Sequence, residues 1–365
     1  MEGKIILIFE FYNMVKYIRL LLLPFSVIYG VIIVLRNKMY DYGIFGSTKF
    51  EIPVICIGNL VVGGSGKSPV TEYLVELLGD YKIAILSRGY GRDTTGFFYA
   101  DKSSTAKSIG DEPLQFYNKF PQVTVAVCED RVKGINRLKN DHDLIILDDA
   151  YQHRSVRPGF SILLFEFQKL LSLQFLLPAG NLRETFGGYK RADVLMVTKS
   201  PEILSAEQQE KCIAKFDNNS AKRLFFSHIK YGDLKSLLKT EVLSCAVIRD
   251  KTVFLLTGIA NPQPMLSYLK QFSTDIIHHD YPDHHQFSLS NISRLAEAFE
   301  RCPAKEKIII TTEKDAQRLF DVTIKELLLN LPVFYLPIKI AVQEEEKFKF
   351  DQKILNYVSD TARNH

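Results

Sequence analysis

The sequence predicts an α/β protein: a mostly parallel sheet domain, a second, smaller α/β domain, and an N-terminal membrane-associating helix. Short β-branched runs alternate with helical stretches from Phe50 to about Lys230, the signature of βαβ units. A second alternation begins near residue 250. Leu20–Leu35 is an apolar run of sixteen residues without a charge, flanked by Lys16 and Arg19 before and Arg36 and Lys38 after.

In chain order, the strands expected in the first unit are Val54–Ile57, Ile83–Ser87, Val123–Val127, Leu144–Leu147, Ser161–Phe165 and Val194–Thr198. Helices are expected over Pro69–Leu78, Pro113–Lys119 and Arg131–Lys139. In the second unit, Val253–Thr257 reads as a buried strand ending at Gly258. A helix through Met265 and Leu269 follows, then a strand over Ile308–Thr311. The resulting division is an N-terminal segment over 1–45, a main domain over 46–235, a smaller domain over 236–350 and a polar tail over 351–365. The tail is expected to fray.

Composition narrows the function. At 365 residues and 46% hydrophobic content the chain is long enough for two real cores. A net charge of +4 suits a basic face for phosphates or anionic lipid and is far below the footprint of a nucleic-acid binder. The five cysteines are scattered without a C-x-x-C pair, so neither a disulfide framework nor a zinc site is expected. The N-terminal apolar run is shorter than the roughly 20 residues of a spanning helix and contains Pro24 and Gly30. Its cationic flanks suit a helix lying in the headgroup region. Packing on the main domain is the other reading, and the two are compatible.

The first strand runs into Val61-Val62-Gly63-Gly64-Ser65-Gly66-Lys67-Ser68-Pro69. A strand that breaks into a glycine-rich turn and reopens as a helix at Gly-Lys-Ser is a nucleotide-phosphate cradle. Gly63, Gly64, Ser65 and Gly66 let backbone N–H groups face the phosphates. Lys67 reaches the β- and γ-phosphates, and the Ser68 hydroxyl sits on Mg²⁺. Val61 replaces the first glycine of the usual pattern, so this is a variant loop on a P-loop NTPase-like sheet, with ATP and Mg²⁺ as the implied cofactors.

Other candidates fall where strands end, as expected for ligand sites on open sheets. Asp148 and Asp149 close Leu144–Leu147, where a P-loop enzyme keeps its metal carboxylate. One would face the metal and the other would orient Gln152 or a loop. Gly110-Asp111-Glu112-Pro113 reads equally as a helix cap or as a carboxylate that accepts a hydroxyl proton. Tyr281-Pro282-Asp283-His284-His285 places imidazoles in a loop without metal spacing; a loop histidine facing the nucleotide could orient a carboxylate base. Arg88, Arg183 and Lys314 are the cationic candidates for phosphate.

Together these pieces resemble the tetraacyldisaccharide 4'-kinase family, the lipid A 4'-kinases of Gram-negative bacteria. The resemblance runs in order through Gly58-Asn59 with Val62–Pro69, Ser87-Arg88-Gly89-Tyr90-Gly91, and Gly110-Asp111-Glu112-Pro113. It continues through Asp148-Asp149 with Gln152-His153, Leu177-Pro178-Ala179-Gly180 with Leu182-Arg183-Glu184, Asp283-His284, and Thr312-Glu313-Lys314-Asp315-Ala316. Ala150 stands where the family usually has Gly, and Val61 where Thr is common; both bear on loop geometry. Residues Met1–Asn13 precede the start of the pattern.

The resemblance implies transfer of the γ-phosphoryl group of ATP to the 4'-hydroxyl of an acylated glucosamine disaccharide 1-phosphate. It assigns the proton-accepting role to Asp111, with His284 as its partner and Lys67 on the transferring phosphate. Ser68 with Asp148 or Asp149 would hold Mg²⁺. Arg88, Gln152, Arg183, Glu184 and Lys314 are expected near substrate or phosphate. The implied setting is peripheral, on the cytoplasmic face of the inner membrane, with a lipid substrate, no nucleic acid and no obligate protein partner. The rival reading is a membrane-recruited ATPase switch, which commonly carries Lys where this chain has Val62. A non-enzymatic nucleotide-binding scaffold would have no use for the Asp111 and His284 pair.

Overall fold

The computed structural model describes residues 19–320 and 322–363. Residues 1–18, which include the expected Lys16 flank, lie outside the described residues.

The strands of the two main sheets are, in chain order, β1 (Val54–Asn59), β2 (Ile83–Ser87), β3 (Phe98–Tyr99), β4 (Thr124–Val127), β5 (Leu144–Asp148), β6 (Phe160–Glu166), β7 (Val194–Thr198) and β8 (Leu224–Tyr231). They continue with β9 (Leu234–Ser236), β10 (Val242–Leu243), β11 (Thr252–Thr257), β12 (Ile276–Asp280), β13 (Lys307–Thr312), β14 (Val333–Leu336) and β15 (Ile338–Val342). The larger sheet has the order β15-β8-β7-β6-β1-β5-β2-β4-β3, parallel except at its two edges. The phosphate-loop strand β1 is therefore central, with β6 on one side and β5 on the other. The smaller sheet has the order β10-β9-β14-β13-β11-β12.

Continuous apolar runs explain the buried parallel strands. Every residue of β1, β2, β5, β6 and β7 is buried, as both faces of the sheet are covered by helices. The helices that matter for function are α1 (Leu23–Asp41), α2 (Lys67–Leu77), α3 (Asp111–Lys119), α4 (Glu313–Arg318) and α5 (Glu344–Arg363).

The chain passes from the larger to the smaller sheet between β8 and β9 and returns between β14 and β15. At this double crossing the Gly232 N–H donates to the Pro337 carbonyl at 2.9 Å. Residues 338–350 accordingly belong with the larger sheet instead of the smaller domain. The expected frayed tail after 351 is also replaced by order. Helix α5 seats Phe350, Ile354 and Val358 in the core of the larger sheet. Its polar sequence hides a four-residue apolar spacing, and Glu344, Glu345 and Glu346 complement its N-terminal dipole.

Candidate active site

The phosphate loop is braced from beneath by hydrogen bonds to its backbone and to the Ser65 hydroxyl. Gly66 holds a left-handed backbone (φ 84°) immediately before α2, a conformation that disfavours a side chain. The Asn59 Nδ2 donates to Ser65 Oγ at 2.5 Å and to the Gly63 carbonyl at 3.4 Å. Thr198 Oγ1, at the end of β7, donates to the Ser65 carbonyl at 2.8 Å. Lys199 Nζ donates to the Gly64 carbonyl at 2.6 Å, and Glu166 receives both Lys199 (3.4 Å) and Lys169 (2.9 Å). Burial, with Lys169 nearby, draws the Lys199 ammonium below its ordinary range against the pull of Glu166. Lys67 is buried at the first turn of α2 and lies 3.7 Å from Asp149.

The two aspartates diverge, as neighbours at a strand end must. Asp149 turns to Arg183, whose guanidinium donates to both of its oxygens at 3.3 and 3.1 Å. Although burial opposes it, Lys67 and Arg183 hold the Asp149 carboxyl below the usual carboxylate range. Asp148 is fully buried; Oδ2 accepts from Ser87 at 3.3 Å and Oδ1 has no partner. Burial, with Glu112 and Asp149 close by, pushes its pKa up to about 7. An orphaned carboxylate oxygen beside a phosphate loop fits a divalent cation, and Asp148 fits better than the already paired Asp149. Among the described residues no cluster of three or more His, Cys, Asp or Glu could hold a metal.

Asp111 is the first residue of α3 and is buried. Its Oδ1 accepts from the Glu112 N–H at 2.9 Å. Its Oδ2 meets three cationic or titratable groups of the smaller domain: Arg318 at 2.5 Å, His284 Nδ1 at 3.1 Å and Lys314 at 3.9 Å. Burial alone would raise its pKa, but the His284 hydrogen bond and the charges of Lys314 and Arg318 hold the carboxyl well below the usual range. His284 Nε2 lies 3.2 Å from Lys314 Nζ, which also pairs with Glu112 at 3.4 Å. The expected loop histidine thus stands against the expected carboxylate.

Backbone strain concentrates here. Among the described residues, the non-glycine positions with left-handed backbone are Asp149 (φ 49°), Lys199 (φ 55°) and His284 (φ 59°). Each such position costs about 1 kcal/mol or more and persists where surrounding contacts over-determine it.

The remaining candidates separate. Arg88 follows β2, is exposed and has no ion-pair partner among the described residues, so its charge is available to a phosphate. Gln152 supports the loop from behind, donating to the Asn59 carbonyl at 2.8 Å. Glu184, expected near substrate, is buried and taken up by Arg191 at 2.5 and 3.1 Å and by Asn37 at 2.7 Å. It anchors α1, because the loop after residue 176 is the floor on which that helix lies.

Helix α1 buries only Ser26 and Gly30. Ser26 Oγ donates to the Leu176 carbonyl at 3.0 Å, and a Cβ on Gly30 would sit 2.8 Å from a Leu176 methyl. Tyr29 donates to the Arg183 carbonyl at 2.7 Å. The opposite side exposes Phe25, Val27, Ile28, Val31, Ile32 and Leu35. The packing reading of the apolar segment is thus borne out, and the packed helix still presents an apolar side outward. Among the described residues no helix is long and apolar enough to cross a membrane.

With this geometry in view, the profile of the tetraacyldisaccharide-1-P 4'-kinase family matches residues 18–358. The chain belongs to this family. A tetraacyldisaccharide 4'-kinase of Bacteroides thetaiotaomicron is 41% identical over 357 residues, covering 94% of each chain. One from Flavobacterium psychrophilum is 44% identical over 356 residues, covering 96% of this chain and 99% of its own. A crystal structure of the family's Aquifex aeolicus protein, in complex with ATP, superposes with a TM-score of 0.73 at 30% identity, covering 93% of this chain and 99% of that one.

Sequence reasoning misses the supports of the phosphate loop. Asn59 stands out only as part of a motif, and Thr198, Lys199 and Glu166 not at all. The signal available is position: Thr198-Lys199 ends a parallel strand on the ligand side of the sheet. Arg318 gives no local signal, since nothing in α4 says which of its charges is buried.

Proposed function

We propose that this family member transfers the γ-phosphoryl group of ATP to the 4'-hydroxyl of an acylated glucosamine disaccharide 1-phosphate, with Asp111 receiving the hydroxyl proton. The observation that carries the assignment is the pairing of buried Asp111 with His284 from the smaller domain. Phosphoryl transfer passes through a loose transition state, so alignment and charge neutralisation matter more than strong proton abstraction. A carboxylate held ionised suits such a step. Its Oδ1 keeps a lone pair beyond the Glu112 bond for the sugar hydroxyl. His284, with Nδ1 at 3.1 Å from Asp111 and Nε2 facing the Lys314 ammonium, holds the carboxylate in place while it receives the proton.

The backbone N–H groups of Gly63–Ser68 would receive the phosphates, and Lys67 would offset charge on the transferring group. Ser68 and Asp148 would hold Mg²⁺, which supplies further neutralisation of the phosphate oxygens when bound. Arg183 locks Asp149 beside Lys67, and Arg88 is open to the substrate's phosphate. The exposed apolar side of α1 rests on the bilayer, at the cytoplasmic face of the inner membrane. Because α1 is bonded through Tyr29, Arg36 and Asn37 to the loops behind Arg183 and Asn59, the lipid surface and the phosphate loop share one rigid support.

The test is labelled ATP with a purified acylated disaccharide 1-phosphate in detergent. Label appears in the lipid, and ATP turnover depends on it. Equal hydrolysis of ATP with and without the disaccharide would instead indicate a nucleotide switch.

A further inference from the structure

The Arg318 side chain is 0% exposed, as is that of Asp315 beside it in the smaller domain. It joins three acceptors: Asp111 Oδ2 at 2.5 Å, Asp315 Oδ1 at 2.8 Å and the Gly258 carbonyl at 3.0 Å. Gly258 also donates its N–H to Asp315 and accepts the backbone N–H of His284. One guanidinium therefore links the loop that carries His284 to the carboxylate that His284 touches. A buried guanidinium is costly unless neutralised, and Asp315 alone would neutralise it within its own domain. The second carboxylate, Asp111, comes from the other domain.

We propose that Arg318 is a positioning residue for the transfer: it reaches across the domain boundary, fixes Asp111 in one orientation and keeps it ionised for the sugar hydroxyl. This rests on the reading of Asp111 as the proton acceptor. The planar fork of the guanidinium fits that role, since its two ends hold Asp111 and Asp315 at once. The rest of the α3–α4 contact fixes the register in which the fork operates. Lys119 bridges Glu72 (2.8 Å) and Glu313 (2.9 Å), Asn118 donates to Gln317 at 2.7 Å, and Lys314 meets Glu112. Polar pairs thus run the length of both helices, with Asp111 and Arg318 at one end and Lys119 and Glu313 at the other.

The groups facing Asp111 are Arg318, Lys314 and His284 from the smaller domain, and Glu112 on its own helix. Asp283 and Tyr90 stand behind His284, and Asp315 behind Arg318. Removal of Arg318 leaves a buried carboxylate with one cation fewer, so Asp111 takes up its proton at higher pH.

Transfer is measured across pH for Arg318→Gln, Arg318→Lys and Asp111→Asn. In Arg318→Gln, kcat falls by roughly a hundredfold with the KM for ATP within about twofold, and the acid limb of kcat/KM moves up by about one pH unit or more. Arg318→Lys keeps the limb at its wild-type position and recovers part of kcat, because one ammonium can neutralise Asp111 but cannot fork to Asp315. A folded Arg318→Gln enzyme with an unmoved acid limb overturns the proposal. If that variant does not fold, Arg318→Lys decides alone: a loss of about tenfold in kcat at unchanged KM supports it, and wild-type kcat overturns it. Near-normal transfer by Asp111→Asn would overturn the proton-acceptor reading itself, a result distinct from any given by Arg318.

Discussion

The phosphate loop is held by hydrogen bonds to its backbone and hydroxyl groups from within one sheet, whereas Asp111 is held by ionic contacts from a separate domain. Asn59, Thr198 and Gln152 all stand at or beside strand ends of the larger sheet, and their bonds run to backbone or hydroxyl groups. They fix a cradle that exists before any nucleotide arrives. The carboxylate end is different. Arg318, His284 and Lys314 reach Asp111 from a domain joined to the rest by two crossings beside Gly232 and Pro337. Ionic contacts across such a joint can be made and broken as a unit. The contrast divides the labour: damage to the loop should weaken nucleotide binding, and damage at the joint should slow transfer from a bound nucleotide.

Lys67→Ala tests the first half most severely. Loss of its charge should lower transfer by roughly a hundredfold or more, measured as labelled phosphate reaching the lipid. Asp148→Asn should lower transfer by about tenfold or more, with an opposite effect on stability. The pKa of Asp148 is raised to about 7 in the folded protein, against about 4 in the unfolded chain. The native state thus holds a proton that the unfolded chain has released, and stability falls as pH rises from about 4 through about 7. Thermal unfolding without nucleotide should show the variant more stable than wild type at pH 8 and similar at pH 4. Glu72, raised by burial and by Glu313, leaves a smaller fall in the variant.

Lys199→Met sharpens the comparison further. It removes a brace without touching the joint, so the KM for ATP should rise about fivefold while kcat changes less than about threefold. The smallest effect concerns the bilayer. Ile28→Ser with Ile32→Ser should lower transfer a few-fold on lipid vesicles and leave the rate in detergent micelles unchanged.

The same contrast explains what can be read from residues alone. Local features are legible: the alternating strands, the loop at Gly63–Ser68 and the aspartates closing β5 are each encoded within a few neighbouring residues. The juxtaposition of Asp111 with His284 is reached only with the family resemblance, since 173 positions separate them and composition is silent on such pairings. Helix α5 escapes notice because its first turn is acidic and its buried apolar residues, Phe350, Ile354 and Val358, are interspersed with charged and polar ones. Glu184 misleads for another reason. A glutamate beside an arginine in a loop looks available, and only the fold shows Arg191 and Asn37 occupying it. Burial of a charge is a property of packing.

The most direct measurement is Asp111→Asn assayed for ATP binding and for transfer in the same preparation. The cradle lies in the larger sheet and does not depend on that side chain. Nucleotide affinity should therefore stay within about twofold of wild type while transfer falls by roughly a hundredfold or more. Transfer within a few-fold of wild type, with nucleotide bound normally, would contradict the account.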